Sequence, residues 1–160
     1  MTLILSKKYN PLFESKARYF IITGGRGSGK SFAVTVFLTL LTMSRGIRVL
    51  FTRFTMTSAH LSIIPEFLEK IGLLGFDETF NINKSEVVNA KNKSDILFRG
   101  IKTSAGNQTA SLKSLQGIST WVLDEAEELV DENIFDTIDL SIREKKVQNR
   151  IILVLNPVTK

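Results

Sequence analysis

Short apolar runs recur along the chain and are separated by longer stretches with a helical pattern. Four of the runs are apolar nearly throughout, which is typical of strands buried on both faces of a sheet; they span residues 18–23, 48–52, 120–123 and 150–155. Two further strands, at 80–89 and 95–101, flank a polar turn at 91–93 and predict a hairpin.

Helices are predicted between the buried strands. Residues 30–44 are apolar almost all round, and residues 131–142 form a second helical stretch. Residues 58–71 carry apolar side chains three and four positions apart, which predicts a helix with His60 near its start and no chemical role for it, although Pro65 interrupts the pattern. Buried strands that alternate with helices predict an α/β fold, in which a mostly parallel sheet is covered by helices on both faces.

The composition narrows the possible chemistry. A length of 160 residues suits one domain, and the absence of cysteine together with a single histidine excludes a disulfide scaffold, a cysteine nucleophile and a multi-histidine metal centre. The net charge of +5 permits an anionic partner without requiring one. The N-terminus lacks an apolar core of signal-peptide length, and the apolar stretch 32–43 is too short to cross a bilayer, so we expect a soluble, cytoplasmic protein.

The strongest chemical signal is the sequence GGRGSGKS, which fits the pattern G-x-x-x-x-G-K-[ST] between a predicted strand and a predicted helix. Glycines allow several backbone N–H groups to turn toward a phosphate. We expect Lys30 to contact the β- and γ-phosphates and Ser31 to bind Mg²⁺. The segment that would hold the nucleotide phosphates consists of Gly24, Gly25, Arg26, Gly27, Ser28, Gly29, Lys30 and Ser31.

A second motif is an acidic pair at the end of a buried strand, where open α/β sheets bind their ligands. We expect Asp124 to hold Mg²⁺ through water and Glu125 to orient or deprotonate an attacking water molecule. Without the phosphate loop, an acidic pair at a helix start would explain the same residues. The acidic residues that follow predict, for the most part, a solvated helix face: Glu127, Glu128, Asp131, Glu132, Asp136 and Asp139.

Several features have two interpretations each. Arg26 could reach the γ-phosphate or pair with a surface carboxylate. Asn156, before a proline, could bind the γ-phosphate or the lytic water, or simply begin a turn. Tyr9 and Asn10 could contact an adenine or anchor the N-terminal segment in the core. A group of basic residues fits either a nucleic-acid phosphate backbone or a solvated face: Lys84, Lys91, Lys93, Arg99, Lys102 and Lys113.

Taken in order, these segments resemble the large subunit of tailed-bacteriophage terminases. The resemblance extends from about residue 9 to residue 158, and it rests on the two motifs together with residues 10–13, 18–19, 113–118 and 156–157. The phosphate loop alone is shared by P-loop ATPases in general. The arginine inside the loop, the K-S-L-x-G-I segment before the acidic motif and the terminal Asn-Pro narrow the resemblance to this family.

The resemblance implies an ATP-driven motor that packages viral double-stranded DNA into a procapsid in the host cytoplasm, with a P-loop NTPase fold of the additional-strand, catalytic-glutamate class. It implies ATP and Mg²⁺ as cofactors. The implied partners are viral DNA, the portal protein, the small terminase subunit and further copies of the chain in a ring, but no membrane. By matching position, the implied roles are catalytic for Glu125, Lys30 and Arg26, metal-binding for Ser31 and Asp124, adenine-contacting for Tyr9 and Asn10, and coupling for Asn156.

Terminase large subunits continue into further strands and a nuclease domain, so we expect residues 1–160 to form one ATPase domain, cut short at its C-terminal end and without nuclease activity. Two other functions remain open on sequence grounds. One is a nucleotide-binding module without effective turnover. The other is a different P-loop DNA motor, such as a helicase-like ATPase.

Overall fold

A computed structural model describes residues 2–56, 61, 63–103, 106–107, 112 and 115–157. The described strands are β1 (Tyr19–Thr23), β2 (Arg48–Thr55), β3 (Phe80–Ile82), β4 (Glu86–Asn89), β5 (Asp95–Thr103), β6 (Gly106–Asn107), β7 (Thr120–Leu123) and β8 (Arg150–Leu155). The described α-helices are α1 (Asn10–Glu14), α2 (Lys30–Leu41), α3 (Ile63–Leu73) and α4 (Glu132–Asp139). Short 3₁₀ turns occupy Lys7–Tyr9 and Ala126–Glu128.

The strands form one mixed sheet in the order β1-β8-β7-β2-β5-β4-β3, with β6 paired to β5. Strands β1, β8, β7, β2 and β5 run parallel, whereas β3, β4 and β6 are antiparallel to their neighbours. Strand β8 lies between β1, which precedes the phosphate loop, and β7, which precedes the acidic pair. This is the additional strand of the predicted class, so the fold prediction is confirmed.

Alternate residues of the central strands enter two different cores. Phe51 of β2 and Val122 of β7 pack in the core that includes residues of α2 and α3, where Phe51, Phe67 and Phe98 contact one another through tilted and edge-on rings. Leu50 and Trp121 pack on the opposite face, in the core that includes residues of α4. The period of two therefore explains why these strands are apolar throughout: both of their faces are covered.

Two strand predictions need correction. Strand β2 continues to Thr55 and thus includes Arg53, because its backbone stays paired with β5 as far as Lys102. The predicted single strand 80–89 is wrong. It consists of β3 and β4, which pair antiparallel around a turn at Asn83, whose side-chain oxygen accepts the N–H groups of Ser85 and Glu86. The hairpin turn between β4 and β5 is confirmed.

The helices are confirmed with different boundaries: α2 and α4 are shorter than predicted, whereas α3 continues to Leu73 rather than ending at residue 71. Helix α2 ends at Leu41 rather than at residue 44. Helix α3 begins at Ile63, so that Pro65 lies in its first turn, where a missing N–H removes no helical hydrogen bond. Asp131 lies just before α4 and caps it by accepting the N–H groups of Asn133 and Ile134. His60 lies outside the described residues. The same is true of Lys113, which belongs to the basic group, and of Lys113-Ser114, which begins the family segment 113–118.

The helices in the described part of the chain are short. None of them is both long and apolar enough to span a bilayer.

Candidate active site

The carboxyl ends of the parallel strands bring the two predicted motifs together. The loop after β1, the ends of β2 and β7 and the end of β8 surround an open pocket of about 340 Å³. Its lining contains most of the predicted site together with one arginine that was not predicted: Arg26, Gly27, Ser28, Gly29, Lys30, Ser31, Phe32, Arg53, Asp124, Glu125, Val154 and Asn156.

The phosphate loop requires glycine for two different reasons. Gly29 stands at the N-cap of α2 with φ +82°, in the left-handed region that other residues reach at a cost. A Cβ atom on Gly24 would lie 2.7 Å from Ser28 Oγ, closer than ordinary contact. The loop therefore turns sharply and packs on itself, which leaves the N-terminus of a helix of 12 residues facing the pocket.

Lys30 is held against the loop that it follows. Its side chain is 7% exposed, and its ammonium donates to the carbonyl oxygens of Gly24 and, at 3.0 Å, Gly25. Ser28 Oγ lies 3.3 Å from the same nitrogen. The positive charge thus lies inside the concave side of the loop, where it can face a bound phosphate.

The N-terminal segment supports the loop from outside. The Tyr9 hydroxyl donates to the carbonyl oxygen of Ser28 at 2.9 Å, and the Lys8 ammonium donates to the same oxygen at 3.1 Å. Tyr9 is 6% exposed and also lines a neighbouring pocket of about 400 Å³, whereas Asn10 is exposed at the start of α1. Neither residue lines the pocket that contains the two motifs. The contacts of Tyr9 make it an anchor of the loop, and its contact with an adenine stays a prediction.

Asp124 is paired with an arginine from the neighbouring strand. Arg53 Nε and Nη2 both lie 2.9 Å from Asp124 Oδ2, and the two side chains retain 22% and 12% of their exposure. The strand register explains the contact: Thr52 of β2 pairs with Leu123 of β7, so the residues that follow each of them are neighbours. The backbone N–H of Asp124 also donates to the carbonyl oxygen of Thr52 at 2.9 Å.

Glu125 adopts an unusual backbone conformation. Its φ of +52° and ψ of +46° lie in the left-handed region, which costs a non-glycine residue about 1–2 kcal/mol. This turn takes the chain from β7 into the Ala126–Glu128 3₁₀ turn and leaves the half-buried Glu125 in the lining of the pocket. Strain of this kind is common at functional sites, where the surroundings fix one side-chain position.

Asn156 is joined to the acidic segment. Its Nδ2 donates to Glu127 Oε1 at 3.0 Å, and its backbone N–H donates to Glu127 Oε2 at 3.3 Å. Both nitrogens of the residue that follows β8 are therefore tied to the segment that contains Asp124 and Glu125. The prediction that most of the acidic residues after the pair are solvated is confirmed for Glu128, Asp131, Glu132 and Asp136, which are exposed, whereas Glu127 binds Asn156 and Asp139 pairs with Arg18 at 2.6 Å.

Arg26 and Ser31 are exposed on the rim of the pocket. Of the ion pairs found among the described residues, none includes Arg26, which leaves its guanidinium available to a ligand there. The described part of the chain also holds no group of three or more metal-ligating side chains. A serine hydroxyl and one carboxylate still fit Mg²⁺, because this ion keeps several waters and takes its other ligands from nucleotide phosphates.

Sequence reasoning missed Arg53, Glu127 and Lys8. For Arg53 a signal was present: a charged residue interrupts the apolar run of β2 at the edge where the parallel strands end. The contacts of Glu127 and Lys8 join residues 29 and 20 positions apart, and no local pattern announces them. The basic residues Lys84, Lys91, Lys93 and Lys102 are exposed, so the structure leaves both interpretations of them open.

Known proteins resemble this chain both in sequence and in fold. The family model for the phage terminase large subunit matches residues 16–160, and a comparison with curated protein sequences gives no match. Among solved structures, the large terminase of a thermophilic bacteriophage superposes with a TM-score of 0.75 at 12% identity, covering 97% of this chain and 40% of that one. That thermophilic phage terminase has also been solved with ADP and with ATP-γ-S.

Two further solved structures have the same fold. The bacteriophage Phi-29 genome packaging motor assembly gives a TM-score of 0.69 at 16% identity, over 96% of this chain and 47% of that one. The Thermus phage P74-26 large terminase ATPase domain gives 0.61 at 19% identity, over 98% and 66%. The chain thus spans less than half the length of the thermophilic phage terminase. Because the family model covers both motifs and nearly all of the chain, this chain belongs to the phage terminase large subunit family.

Proposed function

We propose that this chain is the ATP-hydrolysing motor domain of a phage terminase large subunit, which drives viral double-stranded DNA into a procapsid. The observation that carries the proposal is a pocket that is lined both by the phosphate loop and by the Asp124–Glu125 pair. A phosphate held by the loop lies opposite the two carboxylates, which is the arrangement that phosphoryl transfer to water needs. The nucleotide complexes of the thermophilic phage terminase support ATP as the ligand.

Each residue of the predicted site has a role in this proposal. The N–H groups of Gly24–Ser31 and the Lys30 ammonium bind the phosphates, and the exposed Arg26 neutralises charge that develops on the γ-phosphate. Ser31 and Asp124 would hold Mg²⁺, which would supply positive charge to neutralise the phosphates. Glu125 orients the attacking water and accepts its proton. Tyr9 and Asn10 would lie on the adenine side of the loop.

Asn156 would connect hydrolysis to movement. Asn156 belongs to the pocket lining, and its side-chain amide donates to Glu127. Loss of the γ-phosphate could therefore move the end of β8 through Asn156 alone. The proposal extends to the partners of a packaging motor: viral DNA, a portal protein, a small terminase subunit and further copies of the chain in a ring, acting in the host cytoplasm. The likeness to the Phi-29 viral genome packaging motor assembly supports a multimeric packaging machine, and the family match favours it over a helicase-like motor.

The decisive experiment is steady-state ATP hydrolysis by the chain and by Glu125→Gln. Loss of a general base typically lowers turnover by about 10²–10⁴-fold, and ATP binding should be retained because Glu125 makes no phosphate contact in this proposal. Glu128→Gln is the matched control, since Glu128 is an exposed carboxylate in the 3₁₀ turn that follows Glu125 and should keep full turnover. If the wild-type chain binds ATP yet hydrolyses it no faster than Glu125→Gln, it is a nucleotide-binding module without turnover.

A further inference from the structure

Arg53 contacts the Asp124 carboxylate, which is also the carboxylate that Mg²⁺ is expected to use. Two nitrogens of the Arg53 guanidinium, Nε and Nη2, each lie 2.9 Å from the same oxygen, Asp124 Oδ2. Asp124 is among the buried charged residues, and a carboxylate removed from water is costly unless a cation accompanies it. Without a bound metal, Arg53 is that cation.

Arg53 and Mg²⁺ would bind Asp124 from the same pocket. Arg53 belongs to the pocket lining together with Lys30 and Ser31, so its positive charge lies near the place where the metal and the phosphates are expected. The positive charges of Arg53 and Mg²⁺ would repel each other if both lay beside Asp124, because this site is only partly open to water. Two cations that share one carboxylate oppose each other's binding, and the coupling is reciprocal.

We propose that Arg53 is the resident counter-ion of Asp124 and that it competes with Mg²⁺ for this carboxylate, which sets the Mg²⁺ concentration at which the site binds a metal–nucleotide complex. The inference rests on the proposed function, since it takes Asp124 as the metal-binding carboxylate. Arg53 is therefore neither a metal ligand nor a catalytic residue. It acts through Asp124, and it keeps this carboxylate compensated whenever Mg²⁺ is absent.

The test is a Mg²⁺ titration of the binding of a fluorescent ATP analogue to the full chain. Arg53→Gln should lower the half-saturating Mg²⁺ concentration by about fivefold or more, the lower end of typical couplings between sites. Arg53→Lys should stay close to wild type, because it keeps the charge. Arg48→Gln is the matched control, since Arg48 lies on the same strand and pairs with a buried aspartate at the other end of it.

The outcomes separate this inference from the proposed function. If Arg53→Gln needs as much Mg²⁺ as wild type, or more, Arg53 does not compete with the metal and the inference fails alone. If the wild-type chain binds no nucleotide at any Mg²⁺ concentration, the proposed function fails and the inference fails with it. Fluorescence of Trp121, the single tryptophan, verifies that each variant is folded. Should Arg53→Gln be unfolded, Arg53→Met provides the same loss of charge with an apolar stem.

Discussion

Strand β2 carries an arginine–aspartate pair near each end, and the two pairs serve different purposes. Near the start of the strand, Arg48 Nε lies 3.2 Å and 3.3 Å from the two oxygens of Asp95, and Nη1 donates to the carbonyl oxygen of Gln116. Toward the end of the strand, two nitrogens of Arg53, Nε and Nη2, contact one oxygen of Asp124. The first pair bridges two oxygens and a backbone group, whereas the second leaves Oδ1 without a contact from Arg53.

The surroundings of the two pairs differ in the same way. Around Arg48–Asp95, buried polar side chains bond to the backbone: Asn89 Nδ2 donates to Thr42, Ser94 Oγ donates to Ser44, and the N–H of Ile47 donates to Ser94 Oγ. Around Arg53–Asp124 lie the exposed Arg26 and Ser31, the strained Glu125 and an open pocket. We call the side of the sheet where the parallel strands begin the amino edge, and the side where they end the carboxyl edge. We infer that the amino edge contributes to stability and that the carboxyl edge keeps its groups available for a ligand.

The largest expected effect that separates the two edges comes from Lys30→Ala. We expect ATP affinity to fall by about 100-fold or more, since the variant loses a charge-assisted contact with the phosphates. The free energy of unfolding should change by less than about 1 kcal/mol, because the hydrogen bonds of the ammonium to the described residues all stay within its own loop, where water can replace it. Nucleotide titration and urea unfolding measure the two quantities. Retained ATP binding would sink the assignment of the phosphate loop.

The next effect comes from the amino edge, through Asn89→Ala. Asn89 is 2% exposed; its Nδ2 donates to the carbonyl oxygen of Thr42, and its Oδ1 accepts the N–H groups of Lys91 and Asn92. Leaving these groups without a partner should lower the free energy of unfolding by about 2–3 kcal/mol. Urea unfolding followed by Trp121 fluorescence measures the loss, with exposed Asn81→Ala in the neighbouring strand as the control. Unchanged ATP affinity is expected, and a parallel loss of affinity would contradict the separation of the two edges.

The sequence allowed the carboxyl edge to be predicted better than the amino edge. The phosphate loop and the Asp124–Glu125 pair each form a local pattern, and parallel strands bring such patterns to one edge whatever the details of packing. The roles of Arg53 and Glu127 depend on which strands are neighbours and on their register. The amino edge is built from Asn and Ser side chains that bond to distant backbone groups, and such residues also occur in ordinary turns.

The same reasoning explains the error at residues 80–89. The apolar residues at 80, 82, 87 and 88 led to the prediction of one long strand, and the turn between them is specified by the side-chain oxygen of Asn83, which accepts two N–H groups. The sequence Asn-Lys-Ser forms a turn only when these local hydrogen bonds are more favourable than continued pairing with a neighbouring strand. Because β4 already pairs with β5, the chain can fold back as β3 on its open side.

The smallest expected effect is a pH dependence confined to the amino edge. Burial raises the pKa of Asp95 above its ordinary value of 3.8, although Arg48 acts to lower it. A raised pKa in the folded state means that the protonated carboxyl favours folding. This contribution is complete below the ordinary pKa and is lost as the pH rises through the folded-state pKa. The free energy of unfolding of wild type, minus that of Asp95→Asn, should therefore decrease from acidic toward neutral pH. The other carboxylates titrate in both proteins, so their contributions cancel in this difference.

Urea unfolding at a series of pH values measures this difference in the free energy of unfolding. A difference that grows with rising pH would show that the attraction of Arg48 outweighs burial at Asp95, and would make this pair a source of stability at neutral pH.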